Sequence, residues 1–391
     1  MIRNKTVYFL GAGASAASEF KLPTMKNFFK EFSIKTYPHL SRFIIKHYFP
    51  QFYFNLASKD IQQLEKEKVS EIEKAIQQDP KLNLEEIFSY LDYYLSKTRF
   101  KENLYAAKRE LIYYIFKRLN IHSDKIKSLN QNKVWSDIFA SIFRKMSYQD
   151  TIITLNYDVV IESTLEKVWK DMSKEEKKAL WGEKASLNEH PLLVKLYREV
   201  LPMMKIYWSG LVSPFYKIEE SRDGLFLKLH GSLNWVYCPN KLCINHFNIF
   251  PTDPIELTMQ LAIFPRCRVC GEPLEIAIVP PSMYKVYEEI PKINFIWSLA
   301  YQELRKASEI IIIGVSFADS DFYLRGLFKS AIIEGISYIE GRPKYPQIKI
   351  VDENKQTCEA LRKKIKNIGV EAEFIECVGN LDDFVKKYIT K

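Results

Sequence analysis

The sequence predicts an α/β fold: a doubly wound parallel sheet with a large helical insertion and a small cysteine-bearing ribbon. Three observations predict it. Short apolar stretches rich in β-branched residues alternate with helix-like stretches, which is typical of a parallel sheet covered by helices on both faces. A glycine loop follows the first apolar stretch, at residues 11–16. Two pairs of cysteines lie close together between residues 238 and 270.

The composition is that of an ordinary globular protein. The chain has 391 residues, of which 47% are hydrophobic and 27% charged, and this excludes a disordered chain and a mini-protein. No window approaches the apolar length of a membrane span, and residues 1–10 lack the features of a signal peptide, so we expect a cytoplasmic protein without membrane contact.

The net charge of +9 is spread over the whole chain. It allows an anionic ligand but does not favour direct nucleic-acid binding. Basic runs such as residues 362–364 lie on a predicted helix that also carries Glu359, which is typical of a solvated face.

The first predicted strand, Thr6–Leu10, leads directly into the glycine loop. Gly11, Gly13 and Ala16 fit the dinucleotide fingerprint of a Rossmann-like domain, in which free N–H groups at a helix N-terminus face a pyrophosphate. A tight turn without a ligand is the alternative. An ordinary dehydrogenase would next have a second strand ending in Asp or Glu, but helix-like sequence follows here, so hydride transfer is not expected.

The remaining pattern divides the chain into modules. Amphipathic stretches without strand character predict a helical insertion over residues 25–147, and a mixed insertion is expected over 167–222. Strands are expected at 151–155, 225–229, 276–279, 309–313, 348–351 and 372–375. The predicted Rossmann-like domain therefore comprises residues 1–24, 148–166, 223–237 and 273–391, with the ribbon at 238–272.

Polar or small residues follow the predicted strands directly: Gly11, Asn156, His230, Gly314 and Asp352. The carboxyl ends of parallel strands meet along one edge of the sheet, where ligands bind in open α/β folds. We therefore expect these residues to line one crevice.

Four cysteines have the character of a metal site: Cys238, Cys243, Cys267 and Cys270. Four thiolates suit tetrahedral zinc and leave no open position, so the zinc would be structural. The first pair is spaced widely, and His246 could replace one thiolate. Buried free cysteines in a ribbon that has lost its metal are the alternative. Cys358 and Cys377 are expected to stand alone.

Together these segments resemble the sirtuin family. Residues 11–15, 154–158, 229–232 and 314–316 occur in the order of that family, with Cys238 shortly after the third motif. The resemblance covers about half of the chain and implies a sirtuin-type fold, NAD as a substrate and structural zinc. Residues 25–147 and 167–222 lie outside it.

Departures from the family pattern indicate a subfamily. Prolines at 280 and 281 stand where protein deacylases of the family pair with a substrate peptide, and proline cannot donate the hydrogen bonds of such a ladder. Leu155 replaces a family glutamine, and residues 22–24 replace a Phe-Arg segment. Residues 314–321 resemble a divergent bacterial branch similar to the NAD hydrolases of antiviral defence systems.

The resemblance implies roles for two catalytic candidates, His230 and Asn156, and the chemistry of the cleavage suggests Asp158 as a third. His230 would act as general base, since its ordinary pKa lies close to neutral pH. Asn156 would hold a ribose hydroxyl or position the attacking water. Asp158 would accept a hydrogen bond from the nicotinamide amide or stabilise positive charge, with helix capping as the alternative. The residues expected around NAD are Gly11, Ala12, Gly13, Ser15, Asn156, Asp158, Gly314, Ser316 and Asp352, where Ser15, Ser316 and Asp352 could instead act as caps.

Three hypotheses for function follow. The first is an NAD hydrolase that releases nicotinamide and ADP-ribose as the effector of a bacterial antiviral defence system. The second is an NAD-dependent protein deacylase or ADP-ribosyl transferase. The third is a non-enzymatic assembly subunit that senses NAD or ADP-ribose. Aromatic residues at 49–54 and 90–94 are compatible with homo-oligomer contacts, and a partner ATPase or another defence-system protein is an expected partner.

Overall fold

The computed structural model describes residues 5–17, 22–23, 25–56, 60–99, 101–129, 137–201, 223–251, 265–279, 290–317, 321–339, 342–367 and 369–389. The chain divides into two compact units. The helical unit comprises Leu22–Lys125 and Val279–Val286, and the sheet unit comprises Met1–Lys21, Ile126–Ile278 and Tyr287–Lys391. Within the described residues, no helix combines the length and apolar character needed to cross a lipid bilayer.

The strands of the described residues all belong to the sheet unit. They are β1 Thr6–Leu10, β2 Thr151–Thr154, β3 Phe226–Lys228, β4 Gly231–Tyr237, β5 Phe250–Pro251, β6 Glu275–Ile278, β7 Glu309–Ile313, β8 Ser337–Ile339, β9 Arg342–Lys344, β10 Gln347–Val351 and β11 Ile375–Gly379.

The α-helices are α1 Ala12–Ala17, α2 Pro38–Tyr48, α3 Pro50–Leu56, α4 Lys66–Gln78, α5 Leu84–Lys97, α6 Glu102–Leu129, α7 Asp137–Phe143, α8 Val160–Asp171, α9 Lys174–Trp181, α10 Pro191–Lys195, α11 Pro291–Arg305, α12 Phe322–Gly335, α13 Lys355–Asn367 and α14 Leu381–Phe384. Short 3-10 helices occur at Met25–Glu31, Ile61–Gln63, Gly182–Ser186, Ile244–Phe247 and Ala372–Phe374, and π-helical turns at Leu196–Val200 and Val385–Ile389.

Six parallel strands form the main sheet in the order β11-β10-β7-β1-β2-β3. From β1 the chain moves outward through β2 and β3, and it then returns to β7 on the other side of β1 and moves outward through β10 and β11. This order reverses between β1 and β7, which is the switch point of a doubly wound sheet. The predicted fold class is therefore confirmed. The central strands β1 and β7 are almost entirely buried, as continuous apolar runs require.

The strand predicted at residues 276–279 lies in another sheet. In β6 these residues pair antiparallel with β4, which also pairs with β5 in a three-stranded sheet. The chain reverses directly after β3, at Gly231 with φ of +80°, and a Cβ there would lie 1.9 Å from the carbonyl oxygen of Ala277. The expectation that this strand joins the parallel sheet is wrong, because an apolar run does not reveal its partner strand.

Cys358 and Cys377 were expected to stand alone, but they form a disulfide. Cys358 lies on α13 and Cys377 on β11, and their Cα atoms are 6.1 Å apart. The helix packs back against the strand that follows it, so residues 19 positions apart become neighbours. This packing could not be read from the spacing of the two cysteines alone.

The helical unit is built around aromatic side chains. The ring of Tyr114 on α6 contacts the rings of Phe28, Phe29, Phe32 and Tyr37, with centroids 5.2–5.8 Å apart. Its hydroxyl donates a hydrogen bond of 2.8 Å to the carbonyl oxygen of Phe28.

Among the described residues between 25 and 147 there is no strand. The exact boundaries of the four modules stay predictions.

Candidate active site

The parallel strands end level with one another. Leu10 of β1 lies beside Thr154 of β2 and Ile313 of β7, while Thr154 pairs with Lys228 of β3 and Ile313 with Val351 of β10. The residues that follow these five positions therefore lie along one edge of the sheet. They are Gly11, Leu155, Leu229, Gly314 and Asp352.

Two glycine-bearing loops touch at the switch point of this edge. The N–H groups of Gly11 and Gly13 donate to the carbonyl oxygens of Ile313 and Gly314, at 2.9 and 3.0 Å. A Cβ on Gly13 would lie 2.8 Å from the Cα of Gly314, and a Cβ on Gly314, where φ is +64°, would lie 2.0 Å from the nitrogen of Ala14. The glycines are therefore required by the close approach of two backbones.

The side chain of Asn156 is held in one orientation at the end of β2. Its Nδ2 donates to the Ser15 hydroxyl at 2.8 Å, and its backbone N–H donates to Thr154 Oγ1 at 3.1 Å. Its Oδ1 is buried, and within the described part of the chain it has no hydrogen-bond partner. Buried acceptors are normally satisfied, so this oxygen is suited to receive a hydroxyl or a water.

Asp158 lies two residues further along the same turn. Its Oδ1 accepts the backbone N–H of Val160 at 3.1 Å, and its carboxylate also hydrogen-bonds to Ser15. Burial raises the pKa of Asp158, and the nearby charge of Lys228 opposes this rise. The contact with Val160 closes a turn just before α8, whose N-cap position is Val159 and has no side-chain cap hydrogen bond.

His230 is the second residue after β3 and is buried. Its ring lies 6.1 Å from the ring of Tyr157 and 6.2 Å from that of Trp297, measured between centroids. The indole N–H of Trp297 donates to the carbonyl oxygen of Leu229 at 2.7 Å, which fixes the strand end that carries the histidine. Since Thr154 pairs with Lys228, Asn156 and His230 both lie two residues beyond a paired position on neighbouring strands.

The other predicted ligand-binding residues differ in exposure. Ser15 is buried, whereas Ala12 and Ser316 are exposed and Asp352 is partly exposed. Asp352 Oδ1 accepts the backbone N–H of Asn354 at 2.8 Å, so this side chain closes a turn after β10.

Lys228 and Glu162 are features that the sequence analysis missed. Lys228 is fully buried on β3, and its ammonium donates to Glu162 Oε1 and to the carbonyl oxygen of Asp158, both at 2.6 Å. Burial raises the pKa of Glu162, and the charge of Lys228 opposes the rise. The available signal was a lysine inside an apolar strand, directly before Leu229 and His230.

The strand end after β7 carries a second feature that sequence reasoning missed. Phe317 has a φ of +45°, which is unusual for a residue with a side chain. Its carbonyl oxygen accepts a hydrogen bond of 2.9 Å from Lys364 Nζ on α13, and its ring packs edge-on to that of Phe328. Residues 318–320 lie outside the described residues.

The four predicted metal ligands come together in the ribbon. The sulfur atoms of Cys238, Cys243, Cys267 and Cys270 all lie within 4.8 Å of one another, and Cys270 alone among these four is exposed. Burial raises the pKa of the Cys267 thiol, but backbone N–H groups of Cys270 and Val269 outweigh it and bring the pKa to about 6. Sulfur atoms at this spacing fit a structural zinc ion held by four thiolates.

His246 lies beside this cluster but does not join it. Its Nδ1 is 2.9 Å from the carbonyl oxygen of Cys238, and among the described residues only the four cysteines form the candidate metal site. The option that His246 replaces a thiolate is therefore not favoured. Asn245 donates from Nδ2 to the sulfur of Cys267 at 3.4 Å, as an outer partner of a metal-bound thiolate would.

Comparison with known proteins gives structural neighbours only. No protein-family model and no curated protein matches the chain. A structure solved to explain sirtuin substrate affinity is 12% identical, with a TM-score of 0.38, and the match covers 98% of this chain and 90% of that one. A complex of a Sir2 homologue with NAD is 14% identical, with a TM-score of 0.37 and coverages of 93% and 89%. A mutant Sir2 homologue with ADP-ribose is 15% identical, with a TM-score of 0.36 and coverages of 99% and 94%. At such scores the likeness carries no argument about individual residues.

Proposed function

We propose that the chain hydrolyses NAD to nicotinamide and ADP-ribose at the carboxyl edge of its parallel sheet. The observation that carries the proposal is the side chain of Asn156, which is oriented by Ser15 and has its buried Oδ1 available. Asn156 lies two residues beyond β2, and His230 lies two residues beyond the neighbouring strand β3. An oriented acceptor beside a histidine is what activation of a water or a hydroxyl needs.

The reaction requires little help for the leaving group. Cleavage of the nicotinamide–ribose bond gives the electron pair to the pyridinium nitrogen, so nicotinamide leaves as a neutral molecule. The ribose then carries oxocarbenium character, and a water must attack its anomeric carbon, as in glycoside hydrolysis. We propose that His230 takes the proton of this water while Asn156 Oδ1 accepts a hydrogen bond from the water or from a ribose hydroxyl. Asp158 would face the developing positive charge.

The edge also offers a place for the pyrophosphate. We propose that NAD lies across the switch point, along the loops at residues 11–15 and 314–316. Since the N–H groups of Gly11 and Gly13 are used between the two loops, other groups of the loops would hold the phosphates. The accessible candidates are the backbone of Ala12 and the hydroxyl of Ser316. Asp352 is an anion, so we propose that it accepts a ribose hydroxyl instead.

We place this activity in a defence setting, as an effector that depletes NAD. The proposal rests on the pattern of residues 314–321 and on the prolines at 280 and 281, which leave no ladder for a substrate peptide. Residues 280–289 and 318–320 lie outside the described part of the chain. A homo-oligomer and a partner ATPase or another defence-system protein stay proposals, supported by exposed rings such as Phe54, Tyr90 and Tyr93 in the helical unit.

The decisive experiment incubates the purified protein with NAD, with and without genetically neighbouring proteins, and follows nicotinamide and ADP-ribose by chromatography. We expect Asn156→Ala and His230→Ala to lower turnover by about 100-fold or more, because each removes a group acting on the attacking water. His39→Ala, at an exposed histidine of the helical unit, is the matched control and should leave turnover unchanged.

The same assay separates the alternatives. Full activity in both crevice variants would refute the proposed site. Turnover that requires an acyl-lysine peptide or a protein acceptor would support the deacylase or transferase hypothesis. Binding of NAD by calorimetry without turnover under any partner would support the sensing subunit.

A further inference from the structure

The turn that carries Asn156 is fixed from β3 by a buried cation. The ammonium of Lys228 donates to the carbonyl oxygen of Asp158 at 2.6 Å, and it is also paired with Glu162 in the first turn of α8 at 2.6 Å. Both side chains are buried. Withdrawing a lysine from water is costly, and a charged hydrogen bond in such surroundings is strong, so this contact has little freedom to move.

A second set of bonds fixes the same turn from the other side of His230. The backbone N–H of Leu233 donates to the carbonyl oxygen of Tyr157 at 3.0 Å, and the hydroxyl of Ser232 donates to that oxygen at 3.3 Å. Two consecutive carbonyl groups of the turn are therefore bound by residues 228 and 232–233. His230 lies between these two points of attachment.

From this arrangement we infer that Lys228, supported by Glu162, is a positioning residue that holds Asn156 and His230 in register for the proposed reaction. The inference rests on the proposed function. The hydrogen bonds of Lys228 go to Asp158 and Glu162, so its effect on Asn156 and His230 passes through the Asp158 carbonyl and through β3. Displacement of a reacting group by about 1 Å can cost about 100-fold in rate, so a loss of this contact should be visible in turnover.

The test removes both members of the Lys228–Glu162 ion pair together. Lys228→Met alone would strand the carboxylate of Glu162, so the variant is Lys228→Met with Glu162→Gln. The matched control is Lys5→Met with Glu303→Gln at the opposite edge of the sheet, which removes an ion pair of 2.5 Å between the buried Glu303 and the partly exposed Lys5. Folding of both is checked by circular dichroism and thermal melting.

Two measurements are made on each protein. For Lys228→Met/Glu162→Gln we expect kcat to fall by about 100-fold while KM for NAD stays within about twofold, because the binding loops are untouched. The control variant Lys5→Met/Glu303→Gln should keep the wild-type kcat and KM. Without NAD, the amides of Asn156 and Leu233 should exchange hydrogen faster in Lys228→Met/Glu162→Gln than in the wild type, while the Gly11 amide stays protected.

The outcomes separate the two proposals. If the Asn156 and Leu233 amides of Lys228→Met/Glu162→Gln exchange at the wild-type rate, the positioning role is overturned, whether or not NAD is cleaved. If these amides exchange faster in that variant but its kcat equals that of the wild type, the positioning role is overturned as well. A wild-type protein that cleaves no NAD refutes the proposed function, and the exchange measurement still decides whether Lys228 holds the turn. If the double variant does not fold, Lys228→Leu with Glu162→Leu, which also removes both the donor and the charges, takes its place with the same expectations.

Discussion

The polar groups at the two edges of the parallel sheet differ in their hydrogen-bond partners. At the amino edge, Lys5 is paired with Glu303 at 2.5 Å, and Glu303 also accepts the hydroxyl of Thr151. Thr151 Oγ1 accepts the N–H of Leu225 at 3.0 Å. The carboxylate of Asp150 accepts the N–H groups of Thr6 and Ser147 at 3.2 and 2.8 Å.

At the carboxyl edge the bonding is unequal. Ser15, Asn156 and Lys228 are as tightly bonded as any group of the amino edge, yet the buried Oδ1 of Asn156 has no partner within the described residues. Stability alone would favour pairing every buried acceptor. The amino edge also has one such acceptor, Oε1 of Gln149, so the count of unpaired acceptors does not distinguish the edges. The difference lies in position, because Asn156 Oδ1 is at the strand ends where ligands bind in open α/β folds.

The largest expected effect on stability belongs to the amino edge. Glu303→Gln leaves the ammonium of Lys5, whose side chain is only 12% exposed, without its carboxylate. We expect a loss of about 3 kcal/mol in the free energy of unfolding, since breaking a largely buried pair strands one charge. Urea denaturation measures this loss. The folded variant should keep the wild-type KM and kcat for NAD. A fall in kcat as large as that of Asn156→Ala would contradict the proposed difference between the two edges.

A pair of glycines tests the same distinction at the backbone. A Cβ on Gly224, before β3 at the amino edge, would lie 1.8 Å from the carbonyl oxygen of Asp150, and one on Gly314 would lie 2.0 Å from the nitrogen of Ala14. We expect Gly224→Ala and Gly314→Ala each to destabilise the protein by about 2 kcal/mol, because backbone must shift in both.

The two variants should differ in ligand binding. Gly314→Ala separates the loops at the proposed pyrophosphate site, so KM for NAD should rise, while Gly224→Ala should leave it unchanged. Calorimetry with ADP-ribose on the folded proteins measures the same difference without turnover. Equal affinities in the two variants would contradict the proposed place of the pyrophosphate.

The sequence predicted the carboxyl edge better than the contacts behind it. Asn156 and His230 could be found because each follows a continuous apolar strand, and the ends of parallel strands converge whatever the order of the strands. Lys228 could not be found in this way, since its partner Glu162 lies 66 residues earlier and only the pairing of β2 with β3 brings the two together.

The same limit applies to the ribbon and the C-terminus. The short spacing of clustered cysteines predicts that they share one site, and the predicted set does come together: Cys238, Cys243, Cys267 and Cys270. Cys358 and Cys377 carry no such spacing, because their pairing follows from the packing of α13 on β11. Periodicity predicts elements, whereas partners between elements depend on the tertiary fold.

The smallest expected effect concerns a second buried histidine, which sharpens the contrast with His230. His190 lies against the rings of Trp169 and Trp181, and its Nδ1 accepts the N–H of Leu192 at 3.2 Å. Burial lowers its pKa from 6.5 to about 3, so it is neutral in the folded state over the range in which the unfolded chain takes up a proton.

Stability is therefore lost as the pH falls below about 6.5, and this residue should contribute a loss of about 2 kcal/mol by pH 5. His190→Asn keeps an acceptor for Leu192 but cannot take up a proton, so its free energy of unfolding should fall less between pH 7 and pH 5 than that of the wild type. Urea denaturation followed by tryptophan fluorescence measures both proteins at both pH values. Since His190 is not among the residues of the proposed site, kcat at pH 7 should be retained. An identical pH dependence in the two proteins would show that His190 is not the buried neutral group.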